Sequence, residues 1–196
     1  IKEAMRGAWD IPVSVKTRLG YSSKSEMDDW IKNLLETEVI NITLHARTKK
    51  EMSKVPADWN YILKAVEIRN SAKSETMIFG NGDVSTIEDA YDKAATYKAD
   101  GIMVGRGIFG NPWFFNISIK KEDLSIEVRL KVLVEHTKLY DKYYKGRKNF
   151  HYMRKFFKSY ISGIEDTKNL KMDLMTAENS DQVNKIVGNY LNGEKK

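Results

Sequence analysis

Cysteine is absent from all 196 residues, which removes disulfides, thiolate metal sites and a cysteine nucleophile from anything the chain does alone. No apolar run approaches the ~18 residues of a membrane span, and no signal-peptide pattern opens the sequence. These absences lead us to expect a cytoplasmic protein with no membrane partner and no metal site. The first residue is Ile1 rather than Met, which reads as a processed or truncated product. Without cross-links the fold must rest on packing, and a chain of this size buries roughly 70% of its unfolded surface.

The formal charge of +6 is unevenly placed. Residues 1–119 hold 16 basic and 16 acidic side chains, whereas residues 120–196 hold 17 and 11. Between Lys138 and Lys158 there are eight basic residues against Asp141 alone, interleaved with Tyr140, Tyr143, Tyr144, Phe150, Tyr152, Phe156, Phe157 and Tyr160. That mixture suits a nucleic-acid contact surface. It also suits a solvated helix face laid over an aromatic core.

Periodicity divides the chain at the same place. After an opening helix that ends near Trp9, residues 11–20 alternate strictly, with Val13, Val15 and Thr17 on one side and Ser14, Lys16 and Arg18 on the other. A helix capped by Ser25 runs to about Thr37, and Ile40–Ala46 is the next strand. Asp58 caps a helix whose apolar face is Trp59, Ile62, Leu63 and Val66. Thr76–Phe79 is a third strand, Ser85 caps a helix over 86–98, and Gly101–Gly105 is a fourth strand. Strands alternating with helices through short connections predict βα units and a parallel sheet. From about Ser125 the pattern is helical only, with breaks at Gly146 and Gly163 and a helix opened by Asn149; these segments predict a small bundle.

An open doubly wound sheet and a closed barrel both fit the first part, and both place ligands at the carboxyl ends of the strands. Polar residues gather at those ends: Lys16 and Arg18, His45 and Arg47, Asn81 and Asp83, then Arg106. The stretch from Ala99 to Trp113, ADGIMVGRGIFGNPW, is a short strand breaking into glycines. It suits a phosphate cradle of backbone N–H groups, with a following short helix aimed at the anion. Barrels commonly build such cradles after their last two strands, which favours a barrel. A full barrel needs ~250 residues, so the expected fold is α/β plus all-α: the C-terminal half of a (β/α)8 TIM barrel over 1–119, made of four βα units, then a helical domain over 120–196.

At this point the sequence resembles the tRNA-dihydrouridine synthases, particularly their bacterial branch. The resemblance is carried by Pro12–Gly20 (PVSVKTRLG), Leu44-His45-Ala46-Arg47-Thr48, Asn81-Gly82-Asp83, Ala99–Trp113, and His151-Tyr152-Met153-Arg154-Lys155-Phe156 with Tyr160 and Gly163. It implies an FMN barrel joined to an RNA-binding helical domain, which reduces the five-six double bond of a uridine in tRNA with NADPH as reductant. Lys16 and His45 would contact the flavin ring; Asn81, Gly82, Asp83, Gly105 and Arg106 would hold its ribityl chain and phosphate. Arg18 and Arg47 would meet substrate or loops, and Lys145, Arg147, Lys148, Arg154 and Lys155 would lie along the tRNA. His136 and His151 read as helix-surface residues.

The family's proline-rich first flavin loop and its Asn-x-Gly-Cys-Pro segment are missing from these residues. With no Cys to stand in, no catalytic residue is expected here. The implied picture is a fragment lacking the N-terminal half-barrel, inactive alone, whose open sheet edges call for that half or a second copy. Alternatives are a non-enzymatic RNA-binding module on a degenerate half-barrel and another FMN- or phosphate-binding barrel enzyme.

Overall fold

The computed structural model describes residues 1–193. It divides into two compact units, residues 1–107 and residues 108 onward. The change of sequence character read at 119/120 falls later, because residues 108–119 form turns that group with the helical unit.

The first unit runs α1 (Lys2–Ala8), β1 (Ser14–Arg18), α2 (Met27–Leu35), β2 (Asn41–His45), α3 (Asn60–Ser71), β3 (Met77–Asn81), α4 (Ile87–Tyr97) and β4 (Gly101–Met103). All strand pairs are parallel and the sheet order is β1-β2-β3-β4. Consecutive strands are therefore always neighbours, with no reversal of order of the kind that marks a doubly wound sheet. The unit is a parallel four-stranded sheet with flanking helices, consistent with part of an α/β barrel.

Alternation assigns two faces to this sheet. Val15, Thr17, Ile42, Leu44, Ile78 and Gly80 share register positions on the helix side. Ile42, Leu44 and Ile78 are fully buried there. At about 1.5–3 kcal/mol for each large apolar side chain removed from water, these strands and the inward residues Met27, Ile31, Leu34, Ile62 and Val66 supply the layer that holds the unit together. Trp30 confirms the side of Thr17 by donating from Nε1 to its Oγ1 at 2.7 Å. The opposite face carries Lys16, Arg18, Thr43, His45, Phe79 and Asn81.

Caps depart from the sequence reading by small steps with clear causes. Ser23, not Ser25, opens the second helical segment, because Glu26 reaches back to the 21–23 backbone and completes a capping box. Thr86, not Ser85, caps α4 through the Asp89 N–H at 3.1 Å. The Asp58 carboxylate does not cap α3; it accepts from Lys24 and Asn60 instead. The opening helix forms but buries none of its residues, and Trp9 is exposed.

In the second unit α5 (Ile126–Tyr144), α6 (Arg154–Ile161), α7 (Lys168–Thr176) and α8 (Ser180–Leu191) pack around Leu130, Leu133, Phe150, Met153, Phe157, Tyr160, Leu174 and Val183. Asn149 accepts from the His151 N–H at 2.8 Å, but a single 3-10 turn intervenes before α6. Asp141 near the end of α5 accepts the Ser180 N–H at 2.7 Å and so fixes the start of α8.

Candidate functional site

Register brings the polar residues of the inner sheet face to one level. Arg18, His45, Asn81 and Met103 are successive partners across the four strands, each at or near its strand's carboxyl end. Lys16, one pleat deeper, donates from Nζ to Asn81 Oδ1 at 3.1 Å, while Asn81 Nδ2 donates to the Met103 carbonyl at 2.7 Å. Asn81 thereby links β1 to β4 through side chains.

The turn after β3 is shaped by its neighbours. Gly82 has φ +130°, open to glycine, and a Cβ there would lie 2.8 Å from Ala57 and 3.2 Å from the His45 ring. Two residues earlier, a Cβ on Gly80 would stand 2.3 Å from the Trp59 indole. That indole is buried and donates from Nε1 to the Gly82 carbonyl at 2.9 Å. The sequence assigned Trp59 only to an apolar helix face. Its second role as a prop for the turn had no local signal, since its partners lie 21 and 23 residues away.

Arg47 is the buried centre of the arrangement at 3% exposure. Its Nε donates to the Val55 carbonyl at 2.6 Å, its Nη2 pairs with Asp83, and its Nη1 lies 3.4 Å from His45 Nε2. Asp83 also accepts the Ala57 N–H at 2.9 Å and stands 3.6 Å from Arg106. The Arg47 bond, then the Ala57 N–H and the two guanidinium charges, hold the Asp83 carboxyl below the usual range. Of the two roles the sequence leaves open for Arg47, substrate or loop contact, these bonds are loop contacts: they fasten the loop after β2 to the turn after β3. Arg18 is likewise turned to the frame, donating to the Thr48 carbonyl at 3.0 Å.

Burial, then the charges of Arg18, Lys16 and Arg47, push His45 down to about 4, against a smaller opposing effect of Asp83. The imidazole is neutral at pH 7. A guanidinium only donates, so Arg47 Nη1, 3.4 Å from Nε2, favours the tautomer with the proton on Nδ1. His45 can therefore offer a donor from Nδ1 while remaining uncharged. Burial and the adjacent Arg18 draw Lys16 below the ordinary lysine value.

His45, Asn81, Gly82, Asp83, Gly105 and Arg106 line one cavity of about 480 Å3, along with Arg47, Val84, Ser85 and Gly107. Arg106 is largely exposed there, and a Cβ on Gly105 would meet nothing within 4 Å, so backbone and guanidinium are both open to a ligand. The short helix expected after this strand is a single 3-10 turn, Arg106–Ile108. Any anion here would be held by N–H groups and Arg106, without a helix dipole.

The other predicted contacts fall in the second unit. Lys145, Arg147, Lys148 and Lys155 are exposed, with Lys148 4.5 Å from the Tyr144 ring centroid and Lys155 4.8 Å from that of Phe156. Arg154 is an exception, since it turns inward and donates to the Ala177 carbonyl at 3.3 Å. The aromatic residues divide: Phe150, Phe157 and Tyr160 are buried, whereas Tyr143, Tyr144 and Tyr152 are exposed. His136 is not a surface residue; it lies half-buried with Nδ1 3.0 Å from the Tyr160 hydroxyl, whereas His151 is exposed.

The first unit is thus a sequential parallel α/β sheet, consistent with part of a barrel, whose carboxyl end is cationic and glycine-lined, and a helical unit with exposed basic residues follows it in the chain. The family is given by comparison: the dihydrouridine synthase family model matches residues 1–192, and the chain belongs to that family. A probable tRNA-dihydrouridine synthase of Staphylococcus epidermidis is 38% identical over 184 residues, which is 93% of this chain and 56% of the relative. One of Staphylococcus aureus is 40% identical over 172 residues, covering 87% and 52%. The probable tRNA-dihydrouridine synthase 2 of Bacillus subtilis is 35% identical, covering 93% and 56%. The chain thus spans about half the length of the curated relatives it matches. No described helix is long and apolar enough to cross a membrane.

Proposed function

We propose that this chain provides the flavin cradle and the RNA-binding helices of a tRNA-dihydrouridine synthase, its four strands being the last four of an eight-stranded barrel. The observation that carries this reading is the convergence of Lys16, His45, Asn81, Asp83 and Arg106 at the carboxyl ends of consecutive parallel strands, in a chain of that family. The fit to FMN rests on the cavity itself. Arg106 and the N–H groups of Gly105 and Gly107 suit a terminal phosphate. The Gly82 backbone leaves room that a Cβ would fill, and Asn81 and Asp83 suit the hydroxyls of a ribityl chain.

Bound flavin would supply hydride to the uracil, with NADPH as its source. Lys16 would keep a cation near the flavin pyrimidine edge, where negative charge would gather when the flavin takes hydride from NADPH. His45 donates from Nδ1 without adding charge. Proton delivery to the uracil has no cysteine to draw on in this sequence. The same lack favours a second reading, of the chain by itself as an RNA-binding module without catalysis.

The reading is tested by titrating the purified chain with FMN and following flavin fluorescence. Saturable binding that Arg106→Ala weakens by roughly 10- to 100-fold is the expected result. Unchanged occupancy in that variant rejects the phosphate assignment.

A further inference from the structure

The loops after β1 and β2 build a feature that the flavin cradle does not use. Tyr21 is 59% exposed, with the Lys49 and Lys50 ammonium groups 5.3 and 5.7 Å from its ring centroid. Its setting is rigid for a surface loop. The Lys49 N–H donates to the Gly20 carbonyl and the Lys50 N–H to the Tyr21 carbonyl, each at 2.9 Å, so the two loops are joined edge to edge. The Glu26 carboxylate collects the N–H groups of Tyr21, Ser22 and Ser23 at 3.0, 3.0 and 2.6 Å, and Lys24 bonds to Asp58 at 3.0 Å.

Two nearby acids are occupied by these same ties, while Asp29, on the lining of the adjoining cleft, is 88% exposed. Glu26 serves the 21–23 backbone, and Glu51 accepts the Thr48 N–H at 2.7 Å. Lys49 and Lys50 have no place among the ion pairs of the described residues. The result is an exposed aromatic ring between two available cations, on a backbone that does not have to be ordered when something binds. An aromatic face beside cations is how proteins hold an unpaired base with its flanking phosphates. Tyr21 and Lys49 also line a cleft of about 830 Å3 that reaches Arg18 and Lys16.

We infer that Tyr21, Lys49 and Lys50 form a stacking platform for an unpaired nucleotide of the RNA substrate, adjacent to the base drawn toward Lys16. This rests on the proposed function for the identity of the RNA. The ring stacks on the base, and the lysines take the phosphates on either side. Swinging one base out of a folded RNA costs a few kcal/mol, and a stacked neighbour would offset part of that cost where it arises.

The test uses the 196-residue chain with two probes, an unmodified tRNA transcript and a ten-nucleotide oligouridine, in fluorescence anisotropy titrations at several salt concentrations. Tyr21→Ala weakens both by roughly 5- to 150-fold, the range of a lost base-aromatic stack, whereas Tyr21→Phe stays within about twofold because the ring is kept. Replacing Lys49 and Lys50 together by Ala lowers the salt slope of oligouridine binding by about 1.4, from about 0.7 for each phosphate on a single strand. Thermal melts matching the unchanged chain confirm that the variants fold. FMN titration on the same proteins separates the two readings. If FMN fails to bind the unchanged chain but Tyr21→Ala still loses RNA affinity, the platform stands and the flavin assignment falls. If FMN binds while Tyr21→Ala holds RNA as tightly as before, the platform is rejected alone. Altered self-association of Tyr21→Ala with RNA affinity intact identifies a protein contact and also rejects it.

Discussion

Arg47 is 3% exposed with each guanidinium nitrogen facing a neighbour, while Lys145, Arg147 and Lys148 stand exposed in the helical unit. Asp141, the one acid among residues 138–158, is occupied with the Ser180 N–H. Both regions are basic, yet they differ in what they can recognise. At the sheet end the cations are fixed before any ligand arrives, and their geometry can select a shape. In the helical unit they are exposed and solvated, suited to attraction that is sequence-independent and screened by salt.

The largest effect should therefore come from the exposed set, through long-range charge. Changing Lys145, Lys148 and Lys155 together to Glu is expected to weaken tRNA binding by about 100-fold or more and to reduce the salt slope by about 2–3. The melting temperature should stay within ~2 °C, because none of the three is buried and exposed pairs contribute little. Anisotropy titrations across a salt series check the first part, and equal affinity at low salt would show these residues to be an ordinary solvated face.

Arg47→Ala tests the fixed set and should separate from the first variant by acting on stability. It strips Asp83 of its main partner and leaves the Val55 carbonyl unpaired. Breaking a fully buried pair costs about 3–5 kcal/mol. Asp83 is 38% exposed, and discounting for water at that end gives about 2–3 kcal/mol. Urea unfolding reads this as a lower midpoint at unchanged slope. Arg106→Ala is the smaller companion: it is expected to leave stability unaltered and to lower FMN affinity by roughly 10- to 100-fold, the worth of hydrogen bonds to a charged phosphate. Loss of stability in Arg106→Ala would blur the distinction between frame and ligand contact drawn here.

The same distinction marks how far the sequence could be read. Lys16, His45, Asn81 and Asp83 were visible because strand alternation and strand-exit position are local properties, and the βα rhythm then places all exits at one sheet end. The parallel sheet followed for the same reason. Whether a rim cation faces a ligand or the frame depends on partners far along the chain. Arg47 bonds across 36 residues to Asp83, and nothing near it in sequence distinguishes it from Arg106. The inward turns of Arg154 and His136 have no local signal either, since their partners Ala177 and Tyr160 lie a helix away. The caps moved by one or two residues because serines and threonines cluster at 22, 23, 25, 85 and 86, and local side-chain bonds choose among them.

The subtlest test concerns His45, where frame and ligand contact meet in one ring. Its value is depressed from 6.5 to about 4, so between those limits the unfolded chain binds a proton that the native ring refuses. Stability then rises with pH across that window: it is fully present above pH 6.5, falls as pH drops toward 4, and loses nothing further from this group below. The full shift corresponds to about 3 kcal/mol, and solvent access to a half-buried ring reduces the expected loss to about 1–2 kcal/mol. Urea midpoints from pH 7 to pH 4 should show this slope, and His45→Gln should flatten it; the Asp83 carboxylate, held below its usual range, adds its own loss only at lower pH. Nitrogen-15 NMR on the imidazole at pH 7 gives a sharper reading. With Arg47 present the proton resides on Nδ1, and in Arg47→Ala the ring is free to favour the ordinary Nε2–H tautomer. If the unchanged chain shows Nε2–H, Arg47 does not set the ring's donor, and the fixed cations hold the loops without tuning what those loops present.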